Sequence, residues 1–364
     1  MRRGFIVSGV IWLVVMLLLA ALTVYTAALP VLGVMALLIL LPAGSVLYNL
    51  AARRGVSARL TVPSSTGKNK SAKCEVDVRR GKLPPLGRLF CGVSVTNDLT
   101  GESDMLYVPL AKNRGGYSGE FSMLTEHCGR LGVETQRIVL TDFFGMIPMG
   151  ADVQTESRMT VMPETFPVEL SPEMLSSPKD GEQTRDDMKG NDMTETFQLR
   201  EYVAGDNLHG IHWKLSSKVG KLIFREPSMP VSNSLLLFFD QSSDSAEVLD
   251  ALAESVFSVG QALCESGMPY MLGWSEQGEL RFEEITNQDE LIQNLPTLLR
   301  RNGATPPELS ELADFGKVFY FTGIPPAEEP DGSIQVICCT QEGADMANAI
   351  CFAPENCQEV MQRL

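Results

Sequence analysis

The residues with the widest chemical repertoire lie close together in the middle of the chain. Arg200, Tyr202, Gly205 and Asp206 lead into His212, Trp213, Lys214, Ser216 and Lys218, and Arg225 and Glu226 follow. An aspartate, a histidine and a serine are the residue types of a hydrolytic centre, where a base within hydrogen-bond reach activates the hydroxyl and an acid orients the base. No Gly-x-Ser-x-Gly elbow, His-Glu-x-x-His pair or phosphate-binding loop accompanies them. A structural role needs fewer coincidences. Gly205 suits a tight turn, and Asp206 caps a short helix with its carboxylate. That helix would align Leu208, Ile211 and Leu215 on one face. His212 would pack beside this stripe and bond a backbone carbonyl, and Trp213 would anchor the helix. Gly210 inside so short a helix costs about 1 kcal/mol, which points to a packing requirement. The expectation is strand, turn, short helix, strand, with a docking or structural role.

A second candidate is Asp240-Gln241-Ser242-Ser243-Asp244, directly after an apolar run. Asp240, Ser242 and Asp244 place oxygen atoms at alternate positions of a loop, an arrangement suited to a hard cation. The competing reading is a helix start, with Asp244 or Ser245 as the cap. The acidic pairs near Asp186, Asp187 and Asp192 lack the spacing and closing glutamate of a calcium loop, and read as a solvated charge run. Zinc is not expected, because Cys338 and Cys339 are adjacent on a strand and point to opposite faces. Cys351 and Cys357 lack partners at finger spacing, and buried thiols acting as small hydrophobes are the better reading.

The elements that must position these residues begin at a membrane. From Gly4 to Ala52 no residue is charged. One helix of that length would be about 73 Å long, against a hydrocarbon core of about 30 Å. Two spans fit, roughly 5–25 and 29–48, with a turn at Thr26–Pro30; Pro42 lies inside the second. The run is longer than the apolar part of a signal peptide. Arg2 and Arg3 precede the first span and Arg53 and Arg54 follow the second, while the loop between has no basic residue. The positive-inside rule then keeps both ends in the cytoplasm, predicting a multi-pass inner-membrane protein with cytoplasmic soluble domains. Eight cysteines without a compact framework fit a reducing compartment. A net charge of −15 excludes nucleic acid as a partner. Three histidines are too few for multi-histidine metal chemistry.

The soluble part divides by pattern. After the transmembrane hairpin (1–54), residues 55–168 read as a β-sandwich, with short strands such as Ala58–Val62, Cys74–Val78, Leu89–Val95, Met105–Leu110 and Arg137–Leu140 between turn formers. Residues 169–193 are polar and acidic and read as a flexible connection. The segment with the chemical residues occupies 194–232. From 233 to 364 strands and helices alternate, which predicts a mostly parallel sheet covered by helices, an α/β Rossmann-like domain. In such sheets ligands gather at the C-terminal strand ends, here 240–245 and 322–324.

The pattern Arg-x-Tyr-x-x-Gly-Asp, then Ile-His-Trp, then Ser, then Leu-x-x-Arg-Glu resembles the signature of the bacterial "domain of unknown function 58" family, closely over residues 199–227. The order of spans, β domain, signature and α/β domain fits the same family. His209 stands where that family usually has an arginine. The resemblance implies a von Willebrand factor type A-like C-terminal domain, and the function expected for the chain is a non-catalytic scaffold or adaptor on the inner membrane face. The resemblance also implies a MoxR-type AAA+ ATPase as partner, with a transglutaminase-like membrane protein often encoded nearby. Type A domains often bind Mg²⁺ through Asp-x-Ser-x-Ser; here Asp244 replaces the last serine, so weak or absent Mg²⁺ binding and no resident cofactor are expected. A hydrolase acting on envelope precursors through Asp206, His212 and Ser216 is the alternative function.

Overall fold

The computed structural model of the chain describes residues 2–26, 29–79, 81, 83–113, 115–170, 184–201, 211–230, 235–327, 329–330, 332–341 and 349–362. They form two units, Met1–Met162 and Pro163–Leu364.

The first unit opens with two helices, α1 (Arg2–Thr26) and α2 (Leu29–Ala52). Both are long and apolar enough to cross a membrane, and their large apolar side chains point outward rather than into a protein core. The Trp12 indole N–H donates to the Leu38 carbonyl at 3.2 Å, tying the helices together. Pro42 lies inside α2, as the pattern predicted.

Eight strands follow: β1 (Ser57–Thr61), β2 (Ser65–Gly67), β3 (Ser71–Arg79), β4 (Leu89–Asn97), β5 (Ser103–Asn113), β6 (Gly116–Leu124), β7 (Gly129–Thr141) and β8 (Pro148–Met162). They make one sheet in the order β1-β3-β6-β5-β4-β7-β8-β2. β5 turns the corner, pairing with β4 along most of its length and with β6 only over Ala111–Asn113. The two halves face each other across a shared core that includes Val76 and Val78 from one side and Cys91, Val93, Ile138 and Val161 from the other. The β-sandwich expectation therefore holds for this body. β6 and β8 were not among the strands expected, because serines, glycines and charges interrupt their alternation.

The end of α2 is built into this domain. Pro42, Ser45, Asn49 and Ala52 are buried along one helix face. The Asn49 amide donates to the carbonyls of Leu86 (2.8 Å) and Thr141 (2.9 Å), and its oxygen accepts from the Leu86 N–H (2.8 Å). The Ser45 hydroxyl accepts from the Phe143 N–H at 3.1 Å and donates to the Pro42 carbonyl at 2.8 Å. Gly87 sits between these partners with φ +93°, and a Cβ there would lie 2.3 Å from the Thr141 carbonyl oxygen. Only glycine fits this approach.

The second unit contains an antiparallel pair, β9 (Thr184–Glu201) and β10 (Ile223–Pro230), and between them a short helix, α3 (Trp213–Val219). The connection expected over 169–193 is therefore shorter: from Thr184 the acidic stretch is strand, because β10 supplies hydrogen-bonding partners that composition does not reveal. The register is regular from Ile223↔Glu201 to Glu226↔Gln198 and breaks from Pro227 onward. Pro227 and Pro230 have no N–H to give the ladder.

The α/β body follows: β11 (Leu235–Phe239), α4 (Ala246–Glu265), β12 (Tyr270–Glu276), β13 (Glu279–Ile285), α5 (Gln288–Leu298), α6 (Leu309–Leu312), β14 (Lys317–Thr322), β15 (Ile334–Cys339), β16 (Ala349–Phe352) and α7 (Cys357–Met361). The sheet order is β13-β12-β11-β14-β15-β16; all pairs are parallel except β12 with β13 at one edge. α4 lies against β11, β14 and β15, while α6 and Phe315 cover the other face with Leu236, Phe238, Val318 and Tyr320. Phe166 is buried in this unit, its N–H bonded to the Ser258 hydroxyl of α4 at 3.1 Å. None of the eight cysteines is in a disulfide. Burial pushes the thiols of Cys91 and Cys338 up to about 11 and that of Cys339 up to about 12.

The Asn49 junction yields the first prediction. Asn49→Ala should lower the stability of the first unit by about 1–3 kcal/mol, because two carbonyls and an amide would be stranded in a buried place. Leu47→Ala, on an outward-facing side chain that is 71% exposed, should not disturb that junction. Denaturant melting of the detergent-solubilised chain reads the difference.

Candidate functional site

The chemical residues divide between the short helix α3 and the strand ends of the α/β sheet. Tyr202, Gly205, Asp206 and His209 lie outside the described residues, and so does Leu208 of the expected helical stripe. Arg200 pairs with Phe224, and Arg225 with Leu199, at the base of the β9–β10 ribbon. Glu226 faces Gln198 in the same register.

The helix begins later than expected. Ile211 forms an isolated bridge and is 5% exposed; it is not helical. The cap of α3 is His212, not Asp206. Its Nδ1 accepts the Leu215 N–H at 3.3 Å, and its backbone N–H donates to the Ile223 carbonyl at 2.8 Å. The bond expected from His212 to a backbone carbonyl is thus reversed at the side chain: the ring receives a proton donor. Nδ1 acts as the acceptor only without a proton, so the neutral ring carries its hydrogen on Nε2. The ring in this form has no free acceptor nitrogen for a serine proton. Ser216 is also occupied: its buried hydroxyl accepts the Ile223 N–H at 2.8 Å, linking α3 to β10. Gly220 closes the helix in the left-handed conformation, its N–H bonded to the Ser216 carbonyl. Trp213 is the first helical residue. Lys214 and Lys218, one turn apart, are exposed.

At the sheet, Asp240 follows β11 and Thr322 ends β14. These strands are neighbours whose connections leave in opposite directions, the switch point where open α/β sheets open a crevice. Asp240 is fully buried. One carboxylate oxygen accepts the Ser242 N–H at 2.9 Å; the other accepts the Tyr320 hydroxyl at 3.1 Å and the Thr322 hydroxyl at 2.8 Å. Burial, then the Asp240 charge, raises the Tyr320 phenol well above its usual range, so it stays a donor. Gly323 allows the two loops to meet, since a Cβ there would lie 2.7 Å from the Ser243 Cβ.

Arg301, in the loop after α5, was not singled out by pattern. Its guanidinium donates to the carbonyls of Ser242 (3.0 Å) and Ser243 (3.1 Å) and to the Asp244 carboxylate (2.9 Å). Only its place just beyond the helix, beside Arg300, marked it in sequence. Gln241 is wholly buried and its amide donates to the Leu298 carbonyl. Among the described residues, the Ser242 hydroxyl and the Gln241 carbonyl oxygen are buried without partners. Ser245, not Asp244, caps α4, accepting the Val248 N–H at 3.4 Å.

The structure therefore brings Asp240 and Ser242 together and turns Asp244 away. Asp240 accepts from three protein donors, and Asp244 binds a guanidinium that supplies positive charge to the loop. Among the described residues no group of three His, Cys, Asp or Glu side chains converges.

No family model matches the sequence, and no curated protein matches it. Solved structures resemble it only in part. A superoxide reductase (neelaredoxin) from Ignicoccus hospitalis is 11% identical over 29% of this chain and 80% of its own, with a TM-score of 0.21. A cohesin module from a Clostridium perfringens family 33 glycoside hydrolase is 7% identical over 29% of this chain and 96% of its own, at 0.22. Likenesses this low carry no argument about function.

Two predictions test the geometry. His212→Ala should cost about 0.5–2 kcal/mol as a lost cap, and His212→Asn, which also caps well, should recover most of it. Arg301→Ala should loosen the 240–245 loop by about 1.5–3 kcal/mol through its carbonyl bonds. The Asp244 pair adds little to this, because that carboxylate is 94% exposed. Arg301→Lys should not rescue, since one compact ammonium cannot span acceptors that the planar guanidinium reaches from two nitrogens. Thermal melting of each variant, with hydrogen exchange at residues 240–245, checks both.

Proposed function

We propose that the chain is a non-catalytic scaffold or adaptor fixed to a membrane by α1 and α2, and that it presents α3 and the β9–β10 ribbon to a protein partner. The observation that carries this reading is how the signature's reactive groups are used. The His212 ring and the Ser216 hydroxyl hold backbone amides, while Lys214 and Lys218 stand exposed on the same short helix. A base that serves as a cap and a hydroxyl that locks a strand support docking better than acyl transfer. The lysines favour a partner with an acidic patch, speeding encounter more than deepening affinity.

The finer identity follows the resemblance. In this reading the α/β body is a von Willebrand factor type A-like domain of the "domain of unknown function 58" kind, and its sheet order supports that. The Asp240 loop is then a rigid, Arg301-braced relic rather than a cation site. The partner is a MoxR-type AAA+ ATPase, with a transglutaminase-like membrane protein as a second associate. The soluble units face the cytoplasm, as the arginine flanks suggest.

The test uses the full chain, solubilised from membranes, and the purified ATPase. Lys214→Glu with Lys218→Glu should leave melting within about 0.5 kcal/mol, as exposed charges do, yet weaken co-purification. His212→Ala should weaken it only as far as it loosens α3. If the lysine variant binds normally while Ser216→Ala abolishes a hydrolytic activity in a folded protein, the hydrolase reading replaces this one.

A further inference from the structure

The two loops that clasp α2 are also the most apolar part of the β domain's surface. Leu83 and Leu86 are 39% and 40% exposed, and Phe143 and Ile147 are 61% and 45% exposed. Phe144 stacks edge-on against Phe143, ring centres 5.4 Å apart. Only three other large apolar side chains are comparably exposed among the described residues of this domain: Met105, Tyr107 and Leu124. The 142–147 loop is held open for this display from within. The buried Asp142 carboxylate accepts the N–H groups of Phe144, Met146 and Ile147, so the loop's charge and amides are satisfied inward.

Depth along α2 says what covers these side chains. The Phe143 N–H bonds Ser45 and the Leu86 backbone bonds Asn49, both within the apolar helix. Arg53, the first charge after the helix, lies eight residues beyond Ser45, about 12 Å along the axis at 1.5 Å per residue. A span of about 20 residues counted from Leu29 ends near Tyr48. The loop tips therefore stand at the level where hydrocarbon gives way to headgroups. Arg53, Arg54 and Arg88 are exposed around them. Apolar tips ringed by arginines match acyl chains below anionic headgroups.

The geometry points to a monolayer-insertion surface: the 83–88 and 142–147 loops dip into the lipid leaflet at the end of α2, seating the β domain on the bilayer. This rests on the reading of α1 and α2 as a membrane anchor. The strands run away from this end. β7 arrives at it with Thr141, and β6 ends with Leu124 at the opposite end, since Gly116 pairs with Arg79 while Leu124 pairs with Ser71.

The test reconstitutes the full chain in phosphatidylcholine–phosphatidylglycerol vesicles whose acyl chains are brominated near the headgroup. In a Trp12→Phe background, with the emission of the remaining Trp213 and Trp274 subtracted, the tryptophan added by Phe143→Trp or, as a second variant, by Ile147→Trp should emit to the blue and lose that emission in bromolipid. Leu124→Trp should do neither. The emission that the unmodified chain has beyond its Trp12→Phe variant is that of Trp12 and reports the span itself, read with lipid brominated near the chain middle. Quenching of Trp12 with both loop variants behaving like Leu124→Trp would overturn the insertion surface and leave the anchor standing. An unquenched Trp12, with the chain washing off the vesicles, would overturn the anchor and the insertion surface with it.

Discussion

Asn49 lies in the last turn of the uncharged helix α2, and its side-chain amide must find partners wherever that helix sits. In hydrocarbon an unsatisfied amide costs several kcal/mol. Here the partners are the Leu86 and Thr141 backbones, so the β domain has to reach the helix rather than hang from it on a linker. The other features at that end follow. Gly87 must be glycine because the 83–88 loop has to touch Thr141. Ser45 takes up the Phe143 N–H. Thr141 uses its hydroxyl to accept from the Arg88 N–H at 2.9 Å. The first unit is thus one body made of a hairpin and a sandwich, and the constraint that makes it so is a single buried amide.

The α/β body shows the same economy with a buried carboxylate. Asp240 at a switch point would be costly alone, since a buried charge without partners is worth several kcal/mol against folding. Two hydroxyls of β14 and one amide of the loop after β11 satisfy it and tie the ends of β11 and β14 together. Arg301 then braces the loop that follows. Among the described residues, the Ser242 hydroxyl and one Gln241 oxygen of this loop stay buried without a partner. The crevice position is inherited from the fold, but the polar groups there are mostly turned toward each other.

Much of this arrangement was legible in the sequence because it depends on period and composition. The uncharged stretch from Gly4 to Ala52, the helical spacing of Val248, Leu252, Val256 and Val259, and the β-branched and aromatic runs at 235–239 and 317–322 each carry their structure locally. What escaped has non-local causes. β6 and β8 are strands because neighbours pair with them, not because their residues alternate cleanly. The acidic stretch after Thr184 is strand because β10 lies opposite. Arg301 reaches Asp244 across 57 residues, and Asn49 reaches Thr141 across 92. The cap of α3 was assigned to Asp206 because aspartate is the better capping residue by type. His212 took the position because its backbone is pinned to Ile223, which fixes where the helix can start.

These points bear on how a signature of reactive residues should be weighed. Catalysis needs a base with an open lone pair and a nucleophile with a free approach. At α3 both are committed to backbone amides that the fold cannot leave unpaired: the Leu215 N–H at an orphaned helix start, and the Ile223 N–H at the first residue of β10. Releasing either group for chemistry would strand the amide it serves. A site meant to exchange protons would place that burden on residues other than its own base and nucleophile. Lys214 and Lys218 stand exposed on the same helix.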